Sequence, residues 1–192
     1  MKKYLGLGLA LLLPFSVQAQ SCEGDSPETV ALRLNSALEQ RKWYSAASEF
    51  DPAAVKEIRR LLMDILAATP REQRELTAAL IFKTLSLGDL NRVDDEAFFA
   101  NYLSGEMRSN KGRIENAKVI GSIAEGRDRV HVLISDKLAS SPFEMRKMDV
   151  ISLRCGENGW RVQLTGDIRE LEEIAKAYTK YSSGLFDSGV GK

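Results

Sequence analysis

The chain has 192 residues, 44% of them hydrophobic and 28% charged, with 27 basic side chains against 27 acidic ones. That is enough apolar material for one domain with a core, and the balanced charge argues against a nucleic-acid binder or a disordered charged tail. One histidine and two cysteines argue against a metal centre of either residue type.

The chain opens Met1-Lys2-Lys3, runs apolar from Leu5 to Phe15 and closes on Ser16-Val17-Gln18-Ala19. This order of charge, short apolar run and small-x-small ending predicts a signal peptide over 1–19, cut after Ala19, and export to the periplasm. The run is too short to span a bilayer, so no transmembrane segment is expected after cleavage. Cys22 opens a second reading, a lipoprotein anchored at that cysteine, although Ala19 and Gln20 fit a lipidation motif poorly. In an oxidising compartment Cys22 and Cys155 are expected to form a disulfide, with two unpaired thiols as the alternative. Closing so long a loop is worth at most about 5 kcal/mol.

Ser26-Pro27-Glu28 is a helix start, followed by Val30, Leu34, Ala37 and Leu38 on one face. Trp43 to Phe50 predicts a second short helix, and Asp51-Pro52 starts a third, with Val55, Ile58, Leu62 and Ile65 inward. Thr69-Pro70-Arg71-Glu72 reads as a capping box for a helix whose inner face is Leu76, Leu80 and Leu87, stopped at Gly88. Asp94 caps a further helix carrying Phe98, Phe99, Tyr102 and Leu103, with Gly105 as its stop. After Gly112 the period shortens to that of strands: Ala117 to Ile123, Val130 to Ile134, Phe143 to Cys155, then an Asn158-Gly159 turn into Trp160 to Leu164. Asp167 caps a last helix through Ile168, Leu171, Ile174 and Tyr178. Residues 182–192 are Gly/Ser-rich and read as a flexible tail. The fold class is α+β: N-terminal helices on an antiparallel sheet of about four strands, then a C-terminal helix, all in one domain over 20–181.

No phosphate loop, dinucleotide fingerprint, nucleophile elbow, Cys-x-x-Cys pair or His-Glu-x-x-His motif is present. No cofactor and no metal is expected. His131 is the one side chain suited to general acid–base work, and one register of the second and third strands sets it opposite Asp149. That gives a candidate catalytic pair, set against a plain cross-strand polar contact. Trp43, Phe50, Phe98, Phe99 and Tyr102 read first as core packing and second as the wall of a ligand box. Arg161 and Gln163 share a strand face, either solvated or lining a pocket. The candidate pocket set is therefore Trp43, Phe98, Tyr102, Arg161 and Gln163.

Leu38 to Pro52, with its aromatic, small residues, phenylalanine and Asp-Pro break, resembles the early helices of nuclear-transport-factor-2-like proteins. The stretches Val119-Ile120-Gly121, Val130-His131-Val132 and Gly159-Trp160-Arg161-Val162 are similar to their curved sheet, in particular that of small secreted bacterial members of unknown function. The resemblance implies a cone with a pocket between sheet and helices, and a homodimer formed through the sheet. It does not imply an enzyme, because the fold hosts many functions. The expected role is a non-enzymatic interaction module or binder of a small apolar ligand, with a pocket isomerase or hydrolase using His131 and Asp149 as the alternative. A filled interior with an exposed apolar face would mark the module, and an open pocket the binder.

Overall fold

A computed structural model of the chain describes residues 22–82, 84–109, 114–138 and 146–187. The signal peptide expected over 1–19, the link over 139–145 with the strand start expected at Phe143, and residues 188–192 lie outside the described residues.

Three helices open the chain: α1 (Pro27–Glu39), α2 (Trp43–Ala47) and α3 (Pro52–Ala68). Ser26 caps α1 by accepting a hydrogen bond from the Thr29 amide at 3.2 Å, and Asp51 caps α3 by accepting one from Ala53 at 2.9 Å. Each cap is followed by proline at the first helical position, where a missing N–H costs nothing. α1 buries Val30, Ala31, Leu34 and Ala37, and α3 buries Val55, Ile58, Leu61, Leu62, Ile65 and Leu66.

The next stretch departs from its expected form. Thr69 does not cap the following helix; its hydroxyl donates back to Ile65 O at 2.8 Å, so it closes α3. The chain then makes a single 3-10 turn, Arg71–Gln73, before α4 (Arg74–Phe82). Leu76 and Leu80, expected inside, are exposed, while Ala78 and Phe82 are buried. An aromatic–glycine contact decides this orientation. The Phe82 ring meets Phe98 edge-on at 4.8 Å, and α4 comes so close to α5 (Asp95–Ser109) that a Cβ on Gly105 would stand 2.0 Å from Ile81 O. Gly105 therefore lies within α5 as a packing residue and does not end it.

The sheet is antiparallel in the order β1 (Ile114–Glu125), β2 (Arg129–Leu138), β3 (Arg146–Gly156), β4 (Gly159–Val162). Val130 lies opposite Leu153 and Val132 opposite Ile151. These side chains and Ile134 form the inner face, on which α1 packs. β1 carries register shifts between Glu115 and Lys118 and between Val119 and Gly121, with Asn116 in the left-handed region at φ 55°. Such bulges bend and twist a strand. α6 (Thr165–Asp187) then crosses back to pack on α3. It starts before Asp167, which sits in its first turn, and it continues past the point where a tail is expected at residue 182.

Two ties hold this frame. Cys22 and Cys155 are bonded, with Cα atoms 5.8 Å apart across a separation of 133 residues. At the opposite side of β4, Asp51 N donates to Val162 O and Val162 N donates to Glu49 O, both at 2.9 Å, so the α2–α3 corner occupies the edge of that strand. Glu49 is almost wholly buried there and is held by both Nε and Nη2 of Arg33, which also reaches Asp25. Those two carboxylates raise the guanidinium of Arg33 further above its already high range.

Two substitutions test the frame. Gly105→Ala gains about 1 kcal/mol of helix propensity, yet the clash with Ile81 O is expected to outweigh it and lower the thermal midpoint by about 5 °C. A raised midpoint would show that α4 and α5 separate freely. Arg33→Met leaves the buried Glu49 carboxylate without its partner and is expected to cost about 2 kcal/mol in urea unfolding. Glu49→Gln, which keeps hydrogen-bonding capacity and removes the charge, should cost less.

Candidate functional site

The aromatic side chains pack chiefly within the helical layer, where α5 meets α2, α3 and α4. Phe50 meets Phe99 edge-on at 5.0 Å, and Phe99 meets Tyr102 at 5.9 Å. Phe98 is fully buried, beneath the guanidinium of Arg59 at 5.0 Å from the ring centre. Arg59 is fixed in turn by Leu90 O and Val93 O, each at 2.9 Å, and by Asp95 at 2.8 Å. Burial pushes the Tyr102 hydroxyl pKa up, aided by the nearby Glu106, Asp167 and Glu170 carboxylates. Trp43, on α2, is half-buried against the same core.

The candidate pocket set thus divides. Phe98 and Tyr102 are core residues one turn apart on α5. Arg161 and Gln163 meet the α2–α3 corner instead: Arg161 Nη1 donates to Ser48 O, and Gln163 donates to Asp51 Oδ2 at 3.1 Å. Asp51 therefore caps α3 with one oxygen and holds the end of the sheet with the other. Arg161 lines two shallow clefts of about 330 Å³ each, one against Arg154, Glu157 and Asn158, the other against Phe50, Asp95 and Glu96. A wider groove of about 880 Å³ runs between α3 and α6, walled by Leu61, Ala67 and Ala175 and rimmed by charges of both signs. Among the described residues, no group of three His, Cys, Asp or Glu side chains is placed to hold a metal ion, and no helix is long and apolar enough to cross a membrane.

His131 and Asp149 do not pair. His131 lies opposite Ser152, and Asp149 lies opposite Ile134, so the two side chains are on opposite faces of the sheet. The register puts aliphatic Ile151 and Leu153 inward; a slip of one residue would turn both out to water. The same register puts Met148 and Val150 on the outer face, away from Val130 and Val132. His131 bridges Glu125 Oε2 at 2.9 Å through Nε2 and Ser152 Oγ at 2.9 Å through Nδ1. An ionised carboxylate only accepts, so Nε2 carries the proton and, in the neutral ring, Nδ1 accepts from the serine hydroxyl. The hydrogen bonds from His131 and Arg129 hold the exposed Glu125 carboxyl below its usual range. This is a satisfied surface contact, and among the described residues none of the clefts above is lined by His131, Glu125 or Ser152.

What the register exposes is an apolar strip on the outer face. Ile123 is 73% exposed and Val150 61%, and Ile120 and Met148 are also largely open to water. Leu133 lies between them on β2, opposite both Gly121 and Val150. Isolated exposed aliphatics are ordinary, but several on adjacent strands of one face form a patch. Sequence periodicity gave no reason to single these out, because each sits in a strand that is apolar on both sides.

A second feature escaped the sequence reading. Asp136 is only 1% exposed. It stands opposite Lys147 in the sheet, but Lys147 Nζ lies 2.7 Å from Asp149 Oδ2, and among the described residues Asp136 Oδ1 has no hydrogen-bond partner. An alternating strand gives no warning of a buried acid when the position next to it, Ser135, is also buried.

No family model and no curated protein matches the chain. Among solved structures, the solution structure of a SEC-C motif containing protein from Rhodopseudomonas palustris is 15% identical over 54% of this chain and 86% of its own, with a TM-score of 0.25.

Proposed function

We propose that the chain is an exported, periplasmic interaction module without catalytic activity, which docks a protein through the outer face of β1, β2 and β3. The observation that carries this reading is the exposed strip of Ile120, Ile123, Met148 and Val150, lying over an interior already packed with Phe50, Phe82, Phe98 and Phe99. A binder of small apolar ligands needs an open interior, and the ring-on-ring contacts within the helical layer favour a packed one. The exposed ridge of Leu76 and Leu80 on α4 is a further contact of the same kind.

Export is supported by the order of charge, apolar run and small residues in 1–19 and by the Cys22–Cys155 bond, which suits an oxidising compartment. With its sulfur in that bond, Cys22 offers no thiol to a lipid. A nuclear-transport-factor-2-like cone remains our reading of the architecture, supported by the bulged β1 and by helices covering one side of the sheet.

The first partner we assign is a second copy. Strands of 12, 10 and 11 residues present a face of about 35 by 15 Å. Two stacked copies would remove about 1,000 Å² from water, at the lower edge of specific association, so a micromolar, reversible dimer is expected. Ile123→Lys and Val150→Lys test the reading. Both positions are exposed, so folding stability is expected to move by less than about 0.5 kcal/mol. Self-association, followed by sedimentation equilibrium, should weaken at least tenfold. Association that is untouched by either charge would remove the sheet face from the proposal. A mass spectrum of the secreted protein beginning at Gln20 would support cleavage after Ala19, and one retaining Met1 would overturn it.

A further inference from the structure

The end of the sheet where β2 meets the start of β3 gathers more negative charge than it neutralises. Asp136 and Lys147 are cross-strand partners, and Asp149 lies two residues along on the same face as Lys147. The lysine is drawn to Asp149, the more exposed of the two acids, at 2.7 Å. From the helical layer, Glu39 at the C-terminal end of α1 adds a third carboxylate. Asp136 is left inside, with Oδ1 buried and no hydrogen-bond donor on it among the described residues. An ionised carboxylate in that position is penalised by the loss of its hydration, whereas a protonated one is a small polar group. Helix C-termini also carry negative partial charge, so the end of α1 adds to the repulsion.

We propose that Asp136, Asp149, Lys147 and Glu39 form an acid-closed clasp between the end of α1 and the β2–β3 end of the sheet. The seam is tight while Asp136 holds a proton and loosens when that proton leaves. Burial raises the affinity of Asp136 for its proton, the Asp149 charge adds to this, Lys147 opposes it and Glu39 adds a little more. In the unfolded chain the same carboxyl releases its proton near about pH 4. A folded-state affinity above the unfolded one gives stability that is complete below about pH 4 and is lost as pH rises through the folded-state value. The clasp thus works against the usual trend, in which acid loosens a protein by protonating paired carboxylates.

Asp136→Asn replaces the protonated acid with a neutral group of the same shape. On the full chain, the wild-type thermal midpoint is expected to fall by about 4 °C relative to this variant between about pH 4 and about pH 8. Amide hydrogen exchange compared at equal pH localises the effect. Residues 37–41 and 146–149 should exchange about tenfold faster in the wild type at about pH 8, and equally at about pH 4. Parallel midpoint profiles, or an exchange difference spread evenly over the chain, would overturn the clasp. If Asp136→Asn does not fold, Asp149→Asn decides. It removes the nearest like charge and frees Lys147 for Asp136, so the fall with pH should become smaller and end at lower pH. An unchanged profile in that variant would overturn the proposal.

Discussion

Val132 lies opposite Ile151 and Val130 opposite Leu153, and this pairing decides which side chains of the sheet meet water. Once those four point at the helices, the alternation of the strand leaves no freedom elsewhere. His131 must join Ser152 on the outside, Val150 and Met148 must stay in solvent, and Asp149 and Asp136 must turn toward the helical layer. A patch of exposed aliphatics and a buried acid are therefore two results of a single packing preference. Each is locally unfavourable, and each is tolerated because burying the aliphatic inner face contributes more.

The helical layer is fixed to that sheet by α1 and by polar contacts at its corners, and is held together within itself by rings. Asp51 serves α3 and Gln163 together, the Glu49 backbone and side chain serve β4 and α1 together, and Ser122 on β1 donates to Glu28 on α1. Asp51 sits where α3 begins, so a single carboxylate makes both the cap and the tertiary contact, one through each oxygen. Between the corners, Phe82, Phe98, Phe99 and Phe50 pack at ring spacings of about 5 Å, which leaves little room for a guest.

Local rules read the element order well. The Ser26-Pro27 and Asp51-Pro52 starts, the helical aromatic set, the Asn158-Gly159 turn and the Cys22–Cys155 pair all rest on chemistry contained within a few residues or on there being two cysteines in total. What escaped needed information from elsewhere in the fold. Leu76 and Leu80 are more apolar than Ala78, yet α4 turns on Phe82 and on the close approach to Gly105, which lies 23 positions beyond Phe82 and reads locally as a helix stop. The His131–Asp149 pairing failed because the register depends on which residues of β3 the helices cover, and the link over 139–145 contains no turn signal strong enough to set it. The outer patch was hidden for a similar reason: a strand that is apolar on both faces does not announce which side is covered.

The two bulges of β1 and the corner seated on β4 have a joint consequence for how copies of this chain can meet. A flat outer strand is a template on which another chain can extend the sheet without limit, the route to fibres. Here the left-handed turn at Asn116 and the second shift near Ile120 spoil that template on one side, and the Glu49–Asp51 segment takes up the main-chain groups of Val162 on the other. Growth by strand addition is thereby discouraged at both rims. Contact through the broad side of the sheet is self-limiting, since a surface used once by each of two molecules is then gone. The chain can leave aliphatic side chains in water without inviting open-ended assembly.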